Sequence, residues 1–319
     1  MKRGEWYKTA YLGALLVILG GLYVYTHSDR VESASADLLA IDSTAEMGDA
    51  PDLEPLTLAY STVYDEVTSN KRRQPSLRCT AALVVDNKTG RILYGKNEHE
   101  LRSIASLTKL MTAMVYLDTR PDMTRLVTIS REDAANSAKS SLRQGETFVA
   151  LDLLHAALMS SDNRAARAIS RASGLSPAEF VRRMNRKAAL LGLKDTRFEE
   201  VTGLSPNNVS TAYDCALLLH SALEYRLIKE ITTMERFLYY SLNKKRRHQA
   251  TNSNRLLSSQ HKIAGGKTGY ILASGWCLAT RGSDPEGRDI TAVILGSTSN
   301  SQRFRDADRA LTWGYNNAG

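Results

Sequence analysis

Ser106-Leu-Thr-Lys109-Leu-Met-Thr-Ala-Met-Val-Tyr-Leu117 is the stretch on which the reading of this chain turns. Leu107, Leu110, Met111, Met114, Val115 and Leu117 recur at helical spacing, so the segment predicts a helix that is apolar on nearly every face and buried. Between Arg102 and Asp118 its only charge is Lys109. A buried ammonium is costly unless it is paired or sheds its proton. Ser106 sits one helical turn earlier on the same face. A buried lysine beside a serine at a helix start is the arrangement of Ser-Lys nucleophilic catalysis. The same residues also fit a plainer role, Ser106 as an N-cap and Lys109 as a snorkelling first-turn side chain. Ser-x-x-Lys recurs at Ser241–Lys244 and Ser259–Lys262, in polar surroundings with no apolar helix following.

Two further motifs weigh on the choice. Ser161-Asp162-Asn163 follows the apolar helical run Leu153 to Met159, and Lys267-Thr268-Gly269 follows Gly265-Gly266 and precedes Tyr270-Ile271-Leu272 and Gly275-Trp276-Cys277-Leu278. Each has decoys. Ser-x-Asn also occurs at Ser205–Asn207 and Ser241–Asn243. The second Lys-Thr-Gly, Lys88-Thr89-Gly90, lies between Asp86-Asn87 and Arg91-Ile92-Leu93-Tyr94 and reads as a hairpin turn with a left-handed glycine. Order singles out one set: Ser-x-x-Lys, then Ser-Asp-Asn, then Lys-Thr-Gly beside a strand.

On these residues the chain resembles the low-molecular-mass penicillin-binding proteins, the serine D-alanyl-D-alanine carboxypeptidases and endopeptidases. Matching stretches are Ile104 to Met114, Leu158-Met-Ser-Ser-Asp-Asn-Arg-Ala-Ala, Thr202-Gly-Leu-Ser, Gly266-Lys-Thr-Gly-Tyr, and Asp306 to Tyr315. The likeness spans residues 77 to 319 and is greatest to the endopeptidase branch. It implies an α/β (α+β) fold of the transpeptidase/β-lactamase type, an antiparallel sheet flanked by helices with a helical subdomain. It implies hydrolysis of D-alanyl bonds in peptidoglycan peptides through an acyl-serine, no cofactor or metal, and acylation by β-lactam antibiotics. The roles it implies are Ser106 as nucleophile and Lys109 as neutral base, its pKa depressed by burial and by Lys267. Ser161 would relay a proton to the leaving amine, and Asn163 would orient Lys109 and the substrate amide. Lys267, Thr268 and Gly269 would face the substrate, and the N–H groups of Ser106 and Tyr270 would form an oxyanion hole. Arg303 would bind the substrate's terminal carboxylate, with Arg305 as the competing choice. Endopeptidase action on cross-links is preferred over carboxypeptidase action.

The rest of the chain bears on location. Lys2, Arg3 and Lys8 precede an apolar stretch from Ala10 to Tyr25, which predicts a membrane anchor or signal over residues 1–28. An uncleaved anchor is favoured over cleavage at Ala34-Ser-Ala36. Either way the positive flank sends the rest across the membrane, to the periplasmic face. Residues 29–76 carry Asp37, Asp42, Glu46, Asp49, Asp52 and Glu54 with no long apolar period, and read as an acidic flexible tether of roughly fifty residues. The chain ends just after its last predicted helix, so anchoring is expected at the N-terminus. The net charge is +8, and Lys244-Lys-Arg-Arg-His248 is a basic run. In an exported protein this reads as a solvated loop rather than a nucleic-acid site. Cys79, Cys215 and Cys277 are too few and too widely spaced for a disulfide framework and read as buried thiols. The six histidines show no metal-ligand spacing; His155, in an apolar helix, reads as a packing residue.

The elements predicted are strands over Thr80–Asp86 and Arg91–Lys96, the Ser106 helix, and then an all-helical stretch broken by turns, including Ala150–Ser160, Arg164–Ser173, Pro177–Leu191 and Ala212–Ser221. Strands return at Gly269–Thr280 and Asp289–Ser297, before a last helix, Arg303–Tyr315. Strands at both ends imply one antiparallel sheet closed by both ends of the domain. Among rival functions, a serine β-lactamase would need a deacylating glutamate. Glu199 and Glu200 lie in that region without the Asn expected four residues later. A catalytically idle wall-binding protein would not need Ser106, Lys109, Ser161, Asn163 and Lys267 intact. A glutaminase-type amidohydrolase fits poorly with the N-terminal segment.

Overall fold

The structure is a computed structural model and describes residues 74–135 and 140–318. The segment read as anchor or signal, and the tether up to residue 73, lie outside the described residues. The first hairpin joins β1 (Ala81–Asp86) to β2 (Ile92–Lys96). Its turn is the Lys88-Thr89-Gly90 decoy: Gly90 has φ +73°, and the Asp86 carboxylate accepts from Lys88 N at 3.0 Å and Thr89 Oγ1 at 2.8 Å. Next come the short β3 (Arg102–Ser103), a 3-10 turn (Ala105–Leu107) and α1 (Thr108–Asp118). The middle of the chain holds β4 (Leu126–Thr128), α2 (Arg131–Ala134), β5 (Thr147–Val149), α3 (Ala150–Leu158), α4 (Asn163–Ala172) and α5 (Pro177–Leu190). It continues with β6 (Val209–Ser210), α6 (Ala212–Leu223), α7 (Arg226–Thr233), β7 (Arg236–Ser241) and β8 (Arg246–Thr251). Then β9 (Lys262–Ile271), β10 (Gly275–Ser283) and β11 (Asp289–Ser297) lead to α8 (Asn300–Tyr315).

The main sheet runs β2-β1-β11-β10-β9, antiparallel throughout. The two ends of the domain meet in it, since β1 pairs β11 from Ala81↔Leu295 to Asp86↔Ile290. The two middle strands β1 and β11 are buried on both faces, so their sequences are nearly continuous apolar runs. Leu83, Val85, Cys277, Val293 and Leu295 pack with the helices of the middle segment. The alternate residues Ala82, Val84, Leu278, Ile290 and Ile294 pack against Phe304, Ala307, Ala310 and Leu311 of α8. The period of two in each strand thus feeds two cores. All three cysteines are buried and free.

α1 is the rod of the helical layer. Every residue from Thr108 to Tyr116 is buried, and α3 to α7 all touch it. That explains why the sequence is apolar all round, and why a polar residue there needs a reason.

The sequence reading departs from the structure in three places. The strand expected over Gly269–Thr280 is the end of β9, a turn at Leu272–Ser274, and most of β10. Nothing in the sequence marks the turn as polar. It is made by Gly275 at φ +64° and by Ser274 Oγ, which accepts from Ile271 N at 3.1 Å, and Leu272 is left exposed. The middle segment is not all helical, because it also holds the pairs β4–β5, β3–β6 and β7–β8. The basic run expected as a loop forms the tip and start of the β7–β8 hairpin, with Tyr240↔Arg247 and Tyr239↔His248 in register.

Leu110 is wholly buried in α1. Leu110→Ala should cost about 2–5 kcal/mol, read as a lower urea midpoint; a loss under about 1 kcal/mol would mean that α1 can collapse onto the void.

Candidate active site

The site is assembled where α1, α4 and β9 converge. Ser106 lies in the 3-10 turn and caps nothing, since neither this turn nor α1 has a side-chain N-cap. Lys109 does not snorkel: it is 1% exposed. Both parts of the plainer reading therefore fail. Lys109 Nζ lies 2.9 Å from Ser106 Oγ, 2.7 Å from Asn163 Oδ1 and 2.6 Å from the Thr202 carbonyl.

These three partners suit a neutral amine. The amide and carbonyl oxygens can only accept, and –NH2 has two N–H bonds to give them. Its lone pair is then left for the Ser106 hydroxyl proton. The electrostatics agree. Burial lowers the Lys109 pKa to about 7; the Glu200 and Asp162 carboxylates push it back up and Arg167 pushes it down. The sequence reading also placed Lys267 beside this amine, and the two repel one another: Lys267 is held well below the ordinary lysine range by burial first, then by Lys109 and Arg303.

Ser161 and Asn163 arrive together. Asp162 caps α4, its carboxylate accepting from Ala165 N at 3.0 Å and from Ser140 Oγ at 2.6 Å. This fixes Asn163 at the first helical position. Ser161, just before the cap, has φ +61°. Lys267 Nζ, 1% exposed, donates to Ser161 Oγ at 2.9 Å and to the Thr268 carbonyl at 3.0 Å. Thr268 Oγ1 lies 2.6 Å from Ser253 Oγ, a partner the sequence reading missed. Both serine hydroxyl carriers are half-buried, whereas the two lysines lie behind them.

Gly269 has a structural reason beyond the one expected. A Cβ there would lie 2.8 Å from the Ile104 carbonyl and 3.1 Å from Ser106 N. The strand lies directly on the backbone of Ser106. Tyr270 is exposed at the lip and stacks on Trp276 at 4.0 Å between ring centroids. Arg303, expected at the substrate carboxylate, is 5% exposed and donates through Nη1 to the carbonyls of Gly269 at 3.0 Å and Cys277 at 3.2 Å. Its guanidinium also lies over Trp276, 5.0 Å from the ring centre. What Arg303 holds here is strand backbone. Arg305, the competing choice, donates to Gln302 Oε1. Besides Ser253 and Trp276, the sequence reading missed Asn208, and it weighed Glu200 only as a β-lactamase's glutamate, not as a residue behind the Thr202 carbonyl. The Thr202-Gly-Leu-Ser match marked their loop without marking their role.

The comparisons with known proteins follow the same residues. Residues 68–299 match the family Peptidase S11, described as D-alanyl-D-alanine carboxypeptidase. A D-alanyl-D-alanine endopeptidase of Escherichia coli K12 is 35% identical over 75% of this chain and 78% of its own length. One of Pseudomonas aeruginosa is 36% identical over the same shares. The D-alanyl-D-alanine carboxypeptidase DacF of Bacillus subtilis is 32% identical over 74% of this chain and 61% of its own. Among solved structures, the Streptomyces K15 DD-transpeptidase superposes with a TM-score of 0.70 at 26% identity, covering 77% of this chain and all of that one. Penicillin-binding protein D2 of Listeria monocytogenes, in its cefotaxime-bound form, gives 0.68 at 26% identity over 76% of this chain and all of that one.

A base must be neutral to take a proton, so acylation of the chain by a fluorescent penicillin should rise with pH along a limb centred near 7, the value to which burial brings Lys109. Lys109→Ala should lose acylation by several orders of magnitude. Lys109→Arg should not restore it, because guanidinium keeps its proton; near-normal acylation by Lys109→Arg would show that a fixed charge suffices.

Proposed function

The chain belongs to the peptidase S11 family of serine D-alanyl-D-alanine peptidases, and on that premise we propose that it opens D-alanyl cross-links in peptidoglycan, as an endopeptidase, with Ser106 as nucleophile. The observation that carries the residue roles is the fully buried Lys109 amine held between Ser106 Oγ, Asn163 Oδ1 and the Thr202 carbonyl.

In this mechanism Ser106 Oγ attacks the carbonyl of the D-alanyl bond as its proton passes to Lys109 Nζ. The N–H groups of Ser106 and Tyr270 receive the oxyanion. Ser161, polarised by Lys267, hands its hydroxyl proton to the leaving amine and takes the proton held on Lys109 Nζ in its place, so the C–N bond breaks and Lys109 is neutral again. Water then attacks the acyl-serine, giving up its proton to the neutral Lys109, which passes it to Ser106 Oγ as the acyl C–O bond breaks, so that Ser106 is released as the hydroxyl. Lys267 and Thr268 line the substrate strand, and Gly269 keeps that strand tight on the nucleophile.

Two observations support the endopeptidase choice. The two relatives of about the same identity, 35% and 36%, are both named endopeptidases. The exposed Tyr270, stacked on Trp276, gives the cleft lip an aromatic face on which a second peptide stem can lie. Carboxypeptidase action is the second reading, favoured by the family's description and by the DacF relative. We also propose that the domain works outside the cytoplasmic membrane, anchored through the positively flanked apolar segment near the N-terminus.

Incubation with purified cross-linked dimers and with uncross-linked pentapeptide monomers separates the two activities. Dimers should be cleaved faster, by chromatography. Rapid loss of the terminal D-alanine from monomers with dimers left intact would overturn the endopeptidase choice and leave the Ser106–Lys109 chemistry standing. For the location, a reporter active only outside the cytoplasm, fused after the last residue, should be active.

A further inference from the structure

The carbonyl that grips Lys109 belongs to a turn built around one carboxylate. Glu200 Oε2 accepts from Thr202 N at 2.7 Å and Thr202 Oγ1 at 2.6 Å. Glu200 Oε1 accepts from Leu204 N at 2.9 Å, from Gly203 N and from Asn208 Nδ2 at 3.1 Å. Asn208 closes the loop. Its Oδ1 accepts from Glu199 N at 2.8 Å, and its Nδ2 donates to the Glu200 carbonyl at 2.8 Å and to Thr108 Oγ1 at 3.1 Å. Its own carbonyl accepts from Ile104 N at 3.1 Å. Thr112 Oγ1 ties the loop to α1 again, donating to the Val201 carbonyl at 2.7 Å.

The turn therefore reaches the nucleophile at two points. The Thr202 carbonyl is 2.6 Å from Lys109 Nζ. Gly203, at φ +82°, lies so close to Ala105 that an added Cβ would fall 2.0 Å from the Ala105 carbonyl oxygen. Both carboxylate oxygens are taken up by N–H and O–H donors of the turn. Glu200 is thus not a free base for water, which is the role a β-lactamase would need. Its partners are neutral, so its charge is not cancelled within the turn and acts on the nearby amine.

We propose that Glu200 is a positioning residue for the Ser106–Lys109 pair: its carboxylate gathers the Thr202–Ser205 turn so that the Thr202 carbonyl grips Lys109 Nζ, and its charge acts on that amine across the turn. The inference rests on the Ser106–Lys109 mechanism proposed above. With the Thr202 carbonyl fixed, one N–H of neutral Lys109 is committed to it and a second to Asn163. The lone pair then points to Ser106. Without it the amine can rotate, and the lone pair is no longer aimed. The groups facing Lys109 are the Glu200 and Asp162 carboxylates on the negative side, Arg167 on the positive side, and the Lys267 amine, itself held well below the ordinary lysine range. Removing Glu200's charge leaves the positive groups less opposed, so the ammonium form becomes less favoured.

The test is the rate of acylation by a fluorescent penicillin, followed from acid to alkaline pH, in the unaltered chain, Glu200→Gln and Thr202→Val, with a thermal melt of each. Glu200→Gln should lower the alkaline plateau about tenfold or more and move the midpoint of the acid limb to lower pH. A lower plateau with an unmoved midpoint would reduce Glu200 to a structural role, and an unchanged profile would remove it altogether; either overturns the proposal. If Glu200→Gln does not fold, Thr202→Val decides. It deletes one donor to Oε2 but keeps the charge, and it should slow acylation several-fold with the midpoint unmoved. Acylation by Thr202→Val at the unaltered rate would then overturn the proposal. Absence of label on the unaltered chain would sink the Ser106 assignment and this inference with it.

Discussion

Two amines buried side by side are the constraint from which the site follows. Lys109 and Lys267 are each 1% exposed and close enough to repel. Moving even one ammonium out of water costs several kcal/mol after relaxation, on the order of the net stability of a domain. The cost is avoided if Lys109 gives up its proton, which is the state that a base needs. Stability and catalysis then pull together at neutral pH and above. An unfolded lysine titrates near its ordinary value of 10.5, and Lys109 at about 7. Between the two values the unfolded chain binds a proton that the folded chain does not, so stability increases with pH through that window. Below 7 both states carry the proton, and the full cost of the buried charge is present.

Chemistry of this kind needs backbone held in unfavourable conformations, and the packing shows what holds it. Ala105, next to Ser106, has φ +47°, and Ser161 has φ +61°. Neither is a glycine, so both are strained. The Ala105 turn is pinned from two sides by glycines that no larger residue could replace: Gly203 against its carbonyl, and Gly269 against Ile104, Ala105 and Ser106. Ser161 is held by the Asp162 cap on one side and by the Lys267 amine on the other. The strain therefore sits where three separate stretches of chain close on one another.

Much of this was legible from residue types and spacing. The Ser106 helix announces its burial because every turn of it is apolar, and its single lysine is an anomaly that only chemistry explains. The two-ended sheet follows from strand signals before Asp86 and after Gly269. The Lys88-Thr89-Gly90 turn was separable from Lys267-Thr268-Gly269 by its Asp-Asn neighbours alone. The Leu272–Ser274 turn was not legible, because an exposed leucine in an apolar run looks like strand. The β7–β8 hairpin was missed because its basic tip masks the alternation in Arg236–Ser241, where Tyr239 and Ser241 are buried and Leu238 and Tyr240 exposed. Glu200 was illegible for a different reason. Most of its carboxylate's partners are backbone N–H groups, which every residue has, so little in the side-chain pattern records the turn.

Arg303 shows how far a matched position fixes a role. Its place before Thr312-Trp313-Gly314 pointed to a substrate carboxylate, yet its guanidinium is turned inward onto the Gly269 and Cys277 carbonyls. The Gly269 carbonyl belongs to the same peptide group as the Tyr270 N–H. A peptide whose oxygen is engaged by a guanidinium cannot rotate, and its N–H is polarised by the bond on the other end. The same guanidinium lies against Trp276, which in turn carries Tyr270. One buried cation thus steadies both the N–H that would face an oxyanion and the aromatic lip beside it. The end of β9 thus owes its shape to α8, on the far side of the sheet from α1, as much as to its own residues.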